Sequence, residues 1–166
     1  MLQYKNGDLF TGIQNKSNIV IPHVTNKVGA WGSGFVIPLG KRFPKAELMY
    51  RAWAKECSGS LPLGKVQMVE VEENIWVANM VAQESPGSSL RPLRYNSLSA
   101  CMDSVASTLP TDVEIHCPMF GSGLAGGNWF FVEELIRDCW IRKDIPVTVH
   151  YLPQCLPEGF NPETRR

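Results

Sequence analysis

Apolar and polar positions along the chain switch between a period of two and a period near 3.6. Leu2 to Lys5 alternates weakly, as an opening strand, and Asn6-Gly7 signals a turn before Asp8-Leu9-Phe10. Ile19-Val20-Ile21 is a short β-branched run suited to a buried strand. It leads through Pro22 and His23 into Asn26-Lys27-Val28-Gly29-Ala30-Trp31-Gly32-Ser33-Gly34, with three glycines within six residues. Phe35, Val36 and Leu39 would share one face of a short helix. Pro38 fits there only if the helix starts near Ser33 or Gly34, where N–H groups lack partners anyway. Pro44 opens a longer helix to about Cys57, with Met49, Ala52, Trp53 and Cys57 on one face. Val66 to Val71 alternates, and Ile75 to Ala82 is almost continuously apolar. Glu72-Glu73-Asn74 between them suits a hairpin turn. Glu84 to Arg94 reads as a polar loop. A helix from about Tyr95 to Leu109 follows, with Leu98, Cys101, Met102 and Val105 inward. Val113 to Pro118 is a strand and Met119 to Gly127 a second Gly-rich loop. Asn128 would cap the next helix. There Val132, Leu135, Ile136, Cys139 and Trp140 show the strongest helical periodicity in the chain, and Glu133-Glu134 and Arg142-Lys143 complement the dipole at its two ends. Val147 to Leu152 is the last strand. The tail from Pro153 carries three prolines and is expected over the surface or disordered. Strands interleaved with helices argue an α/β layered fold, partly antiparallel through the hairpin.

Composition narrows the class. The 166 residues suit one domain with a full core, and 44% hydrophobic with 19% charged is globular. Lys+Arg and Asp+Glu both number 16, so no basic field recruits nucleic acid. If a ligand carries phosphates, backbone dipoles and a few local charges must hold it. Five widely spaced cysteines with no C-x-x-C read as small buried hydrophobes in a reducing compartment. Met1-Leu2-Gln3-Tyr4-Lys5 has no basic region followed by a long apolar segment, and nothing reaches membrane-span length. The expectation is a cytoplasmic, unanchored monomer.

The two Gly-rich loops carry the chemistry. A glycine turn that opens a helix aims free N–H groups at whatever lies above it. Loops at the carboxyl ends of strands line one crevice in an open α/β sheet. Two of them can grip adjacent phosphates from opposite sides, which points to a diphosphate ligand. Rival readings fail on residues. Gly121-x-Gly123-x-x-Gly126 spells the dinucleotide fingerprint, but only one strand follows it and no acid ends that strand. Neither loop ends in Gly-Lys-Ser/Thr. Cys117 lacks the arginine that a cysteine phosphatase needs six residues on; Gly123 stands there. His23, His116 and His150 have no metal-site spacing. Asp8 is either turn chemistry or an acceptor for the exocyclic amine of a base. Asn26 either shapes its turn or holds ribose hydroxyls.

Gly7-Asp8-Leu9, Asn26 to Gly34 and Gly121 to Gly127, in that order, resemble the macro domain family over roughly Met1 to Leu152. Within it, Gly29-x-Trp31-Gly32-x-Gly34, Arg42-Phe43-Pro44-Lys45-Ala46-Glu47, and Gly121-Ser122-Gly123 with Trp129 are similar to the small stand-alone branch that includes the yeast-type ADP-ribose 1''-phosphate phosphatases. The resemblance implies a three-layer α/β/α fold around a central mixed, mostly parallel sheet, spanning residues 1–152 with a Pro-rich tail at 153–166. It implies ADP-ribose or its 1''-phosphate as ligand, with no cofactor and no metal. Asp8, between Gly7 and Leu9, would meet the adenine amine. Gly29, Ala30, Trp31, Gly32, Ser33 and Gly34 would embrace the distal ribose and one phosphate. Gly121, Ser122, Gly123, Leu124, Ala125 and Gly126 would hold the diphosphate. His23, just past the second strand, and Asn26, on the distal ribose, would be catalytic. Tyr151 and His150 compete for the adenine face. The implied activity is hydrolysis of ADP-ribose 1''-phosphate, a by-product of tRNA splicing. The alternatives are removal of ADP-ribose from protein or nucleic acid, and a non-catalytic ADP-ribose reader. The branch that removes ADP-ribose from glutamate uses a Lys and an Asp, where this chain has Gln83-Glu84 and Ala125. A lysine-adduct mechanism is therefore disfavoured.

Overall fold

A computed structural model describes residues 1–165. Six strands form one sheet: β1 (Leu2–Asn6), β2 (Ile19–Asn26), β3 (Val66–Glu72), β4 (Ile75–Gln83), β5 (Glu114–Cys117) and β6 (Val147–Tyr151). Their spatial order is β1-β6-β5-β2-β4-β3, parallel throughout except for β3, which runs antiparallel to β4. Five helices cover the two faces: α1 (Leu9–Gly12), α2 (Val36–Arg42), α3 (Pro44–Glu56), α4 (Tyr95–Thr108) and α5 (Trp129–Cys139). This is the three-layer α/β/α arrangement around a mixed, mostly parallel sheet.

Alternation along the strands builds two cores. Ile19 and Ile21 of β2 and Val77 and Val81 of β4 pack with Leu39, Phe43, Ala46 and Tyr50 of the α1–α3 side. Val20, Ala78 and Met80 pack on the opposite face with Leu98, Met102, Val132 and Ile136 of α4 and α5. Both faces are therefore dry, which is why β2 and β4 read as apolar runs without clean alternation. The hairpin turn lies at Glu73-Asn74, where Asn74 takes a left-handed φ of 59°. Pro38 is the third residue of α2, within the first turn, so its missing N–H breaks no helical bond.

Three expectations need correction. The second strand is eight residues long, so His23 lies inside it rather than past its end. Helix α3 buries Ala46, Tyr50 and Ala54, while Met49 and Ala52 are exposed and Trp53 and Cys57 half-buried. Glu133 does not complement a dipole from solvent. Its carboxylate is fully buried, bonded by Arg137 at 3.2 Å and Arg165 at 2.6 Å, with a short hydrogen bond of 2.5 Å from the Tyr4 hydroxyl. The segment after β6 forms two 3-10 turns, and its Phe160 packs on Tyr4 and Phe130. Of the five free cysteines, Cys101, Cys117 and Cys139 are buried, Cys57 is half-buried and Cys155 exposed.

Candidate functional site

Strands β5, β2 and β4 are adjacent and parallel, so the loops that leave their carboxyl ends meet above the sheet. These loops are 27–35 after β2, 84–94 after β4 and 118–128 after β5. Between them lies a cleft. His23 and Asn26 line it from β2; Ala30, Gly32, Ser33, Gly34 and Phe35 from the first loop; Gln83, Pro86 and Gly87 from the second; and Met119, Gly121, Gly123, Leu124 and Ala125 from the third.

Each glycine loop leaves its donors free. Gly34 and Gly121 take φ of 80° and 77°, a left-handed region in which a side chain would be strained. Gly127 N–H donates to Gly121 O at 2.8 Å and Gly126 N–H to Gly123 O at 3.0 Å, closing the third loop on itself. Among the described residues, the N–H groups of Ser122, Gly123, Leu124 and Ala125 have no hydrogen-bond partner, nor do those of Gly32, Ser33 and Gly34. Two arcs of unpaired main-chain donors thus border one cleft, an arrangement suited to anionic oxygens.

The first loop is held from below. Asn26 Oδ1 accepts from Val28 N–H at 3.2 Å and Ala30 N–H at 3.0 Å, and its Nδ2 donates to Ala30 O at 2.9 Å. The buried Tyr50 hydroxyl donates to Asn26 O. Asn26 therefore shapes its turn, with one Nδ2 hydrogen left over. Burial pushes the Tyr50 phenol up to about 12, so it stays a donor. Trp31 is buried, its ring edge-on to His23 at 5.4 Å and tilted against Tyr50.

His23 is oriented by a chain of amides. Gln67 Nε2 donates to Met49 O at 2.9 Å, which turns Gln67 Oε1 toward Asn79 Nδ2 at 3.1 Å. Asn79 Nδ2 also donates to Ala46 O, so Asn79 Oδ1 faces His23 Nε2 at 2.5 Å. The proton therefore sits on Nε2, and Nδ1 is left with a lone pair and no partner among the described residues. Burial lowers the imidazole to about 4, against the opposing effect of the Asn79 bond. At neutral pH His23 is a neutral acceptor that cannot donate from Nδ1.

Other named residues lie elsewhere. Gly7 N–H donates to Tyr151 O at 2.9 Å, which places Gly7, Asp8, Leu9 and Tyr151 together at the β1–β6 edge, beside the cleft rather than on its wall. Asp8 Oδ2 caps α1 by accepting from Thr11 N–H at 3.0 Å, and it faces a separate hollow with Lys16 and Arg42. Leu9 is core. His150 is buried, its Nε2 2.9 Å from His116 Nδ1, whereas Tyr151 is half-buried. Gly29 lies against Ala54, Ser122 Oγ donates to Met119 O at 2.9 Å, and Gly126 packs on Arg91; none of these three, nor Trp31, is on the cleft wall. Sequence reasoning missed Asn79, Tyr50, Phe35 and the Pro86-Gly87 pair. Only Asn79 left a signal there, a lone amide within an apolar strand.

Fold and cleft together define an α/β domain that presents main-chain donors to its ligand at the carboxyl end of a parallel sheet. A macrodomain protein from Streptomyces coelicolor is 38% identical to the chain, covering 90% of it and 98% of the bacterial structure, with a TM-score of 0.75. A protein of unknown function from Bacteroides thetaiotaomicron is 37% identical over 92% of this chain and 98% of its own, with a TM-score of 0.83. The chain belongs to the macro domain family. No family model matches it. An ADP-ribose 1''-phosphate phosphatase from Lodderomyces elongisporus is 23% identical over 146 residues, which is 81% of this chain and 90% of the yeast protein. The chain spans only 18% of the length of the mouse chromodomain-helicase-DNA-binding protein 1-like, to which it is 23% identical.

Proposed function

We propose that this protein binds ADP-ribose in the cleft and hydrolyses ADP-ribose 1''-phosphate to ADP-ribose and phosphate. The observation that carries the reading is the pair of arcs of unpaired N–H groups bordering one cleft, donors suited to the oxygens of a diphosphate. The likeness to an ADP-ribose 1''-phosphate phosphatase, 23% identical over 81% of this chain and 90% of that protein, supports the reaction. In it water attacks phosphorus and the bond between phosphorus and the C1'' oxygen breaks. His23 Nδ1 accepts the proton from the attacking water, the C1'' oxygen leaves as a hydroxyl by taking a proton from a solvent water, and His23 then gives its proton back to solvent. With few charged groups available, positioning and main-chain electrostatics supply most of the acceleration. The adenine end would extend toward the β1–β6 edge, where Asp8 and Tyr151 stand beside the cleft.

Phosphate release from ADP-ribose 1''-phosphate tests this. His23→Ala is expected to lower turnover by about 100-fold, the usual range for losing one acid–base group, while calorimetry still detects ADP-ribose binding. Full activity in His23→Ala would remove His23 from the reaction. No release by the wild type, with binding intact, would favour a second reading. That reading, an ADP-ribose reader without turnover, is supported by the absence, among the described residues, of any charged side chain from the cleft wall.

A further inference from the structure

An amide sealed inside an apolar strand must have its hydrogen bonds made for it. Asn79 is fully buried in β4, between Ala78 and Met80. In the sheet it stands beside His23 of β2 on one side and Gln67 of the edge strand β3 on the other. The three side chains thus form one row across three strands. Asn79 Nδ2 spends its two hydrogens on Ala46 O at 3.3 Å and Gln67 Oε1 at 3.1 Å, which leaves Oδ1 for His23 Nε2. Gln67 Nε2 is in turn tied to Met49 O of α3. The row therefore has one polarity, set by two main-chain carbonyls of α3. The groups facing His23, Asn79 from β4 and Trp31 and Phe35 from the first loop, carry no charge.

Resting on the phosphatase reading of the cleft, we infer that Asn79 and Gln67 are positioning residues of the reaction: two neutral amides that decide which nitrogen of His23 takes the proton and that cannot carry it away. A carboxylate at position 79 would favour the imidazolium and retain its charge. An amide oxygen only accepts the Nε2 hydrogen. The proton that water gives to Nδ1 has one way out, back through Nδ1. Burial lowers the ring to about 4, so at neutral pH that proton is released readily. The amide partner thus exchanges proton affinity for prompt discharge, and His23 is neutral again before the next substrate.

The test follows tautomer and rate together. Two-bond proton–nitrogen spectra of the imidazoles, recorded without ligand, are expected to show wild-type His23 with its proton on Nε2 alone. Asn79→Leu should spread that proton over both nitrogens. It should lower kcat for ADP-ribose 1''-phosphate by about tenfold, a part of the loss expected for His23→Ala, with KM unchanged. Gln67→Leu leaves the Ala46 bond in place and should show the same effects to a smaller extent. Asn79→Asp should return His23 to one tautomer and move the acid limb of kcat up from about 4 by about a unit or more. An Asn79→Leu protein that melts like the wild type, with His23 still protonated on Nε2 and kcat unchanged, overturns the inference. So does an acid limb that Asn79→Asp leaves in place, and that profile decides alone should Asn79→Leu fail to fold. No phosphate release by the wild type overturns the reaction itself, and the part of the two amides in it.

Discussion

Three imidazoles are sealed in this domain, and each resists protonation. Burial holds His23 and His150 at about 4 and lowers His116 as well, with the Glu114 carboxylate pulling His116 the other way. In the unfolded chain a histidine titrates near 6.5, so between roughly 6.5 and 4 the unfolded state binds more protons than the folded one. The stability that neutral histidines allow is therefore complete above that window and falls as pH drops through it. For His23 the shift corresponds to roughly 3 kcal/mol. Urea unfolding at pH 7 and pH 4.5 should show a marked fall for the wild type and a smaller one for His150→Gln; equal falls would exclude His150 as a contributor. A second residue-scale expectation concerns Tyr50. Tyr50→Phe leaves the Asn26 carbonyl short of a buried donor, and should cost about 1–2 kcal/mol in thermal or urea unfolding while weakening ADP-ribose affinity through the first loop. The resemblance named His23 as a catalytic candidate, but neither its setting inside β2 against Asn79 nor the role of Tyr50 shows in sequence. His23 stands in a run whose apolar start looks like a whole strand, and the amide chain from Met49 through Gln67 and Asn79 joins three elements.

At the level of elements, the loops were the most legible part of the site because glycine is read directly. What the letters do not reveal is which glycine is needed for space and which for access. A Cβ on Gly127 would lie 2.4 Å from Gly121 O and 2.5 Å from Leu93, whereas one on Gly123 would meet nothing within 4 Å. Gly127→Ala should destabilise the domain by about 1–3 kcal/mol and abolish ligand binding. Gly123→Ala should leave the melting temperature within a degree or two and reduce only the affinity, since its Cβ enters the cleft; paired melting and calorimetry separate the two. Helices α4 and α5 declared their buried faces through plain 3.6 periodicity, Leu98-Cys101-Met102-Val105 above all. Helix α3 misled for a physical reason. The first loop lies directly on it: Gly29 packs against Ala54, so position 54 takes a small residue, and Tyr50 is drawn in by its hydroxyl's bond to Asn26 O. Ala46, Tyr50 and Ala54 carry that stripe, and Met49, the more hydrophobic letter, is left outside.

For the whole molecule, the α/β class followed from interleaved strands and helices, but the strand order did not. Pairing across the sheet is decided by tertiary packing, and nothing near Leu2 announces its partner near Val147. The buried Glu133 is a second long-range choice. Burial raises its carboxyl, and the bonds from Arg165 and Tyr4 more than reverse this, holding it below its usual range. Arg165→Ala removes one of those partners from a carboxylate with no solvent to replace it. A loss of about 1–3 kcal/mol in thermal unfolding is expected, less than for an isolated buried pair because Arg137 remains and Arg165 is itself partly exposed. An unchanged melting temperature would show that Arg137 and Tyr4 suffice. The pairing of β1 with β6 also has a meaning in time. Strand β1 precedes every other strand of the sheet in sequence, yet among the described residues it pairs with β6 alone, the strand furthest along the chain. At a synthesis rate of about 5–20 residues per second, it waits roughly 7 to 30 s for that neighbour. During those seconds the nascent domain can assemble its middle strands but not its border, so the sheet is completed only once β6 has emerged.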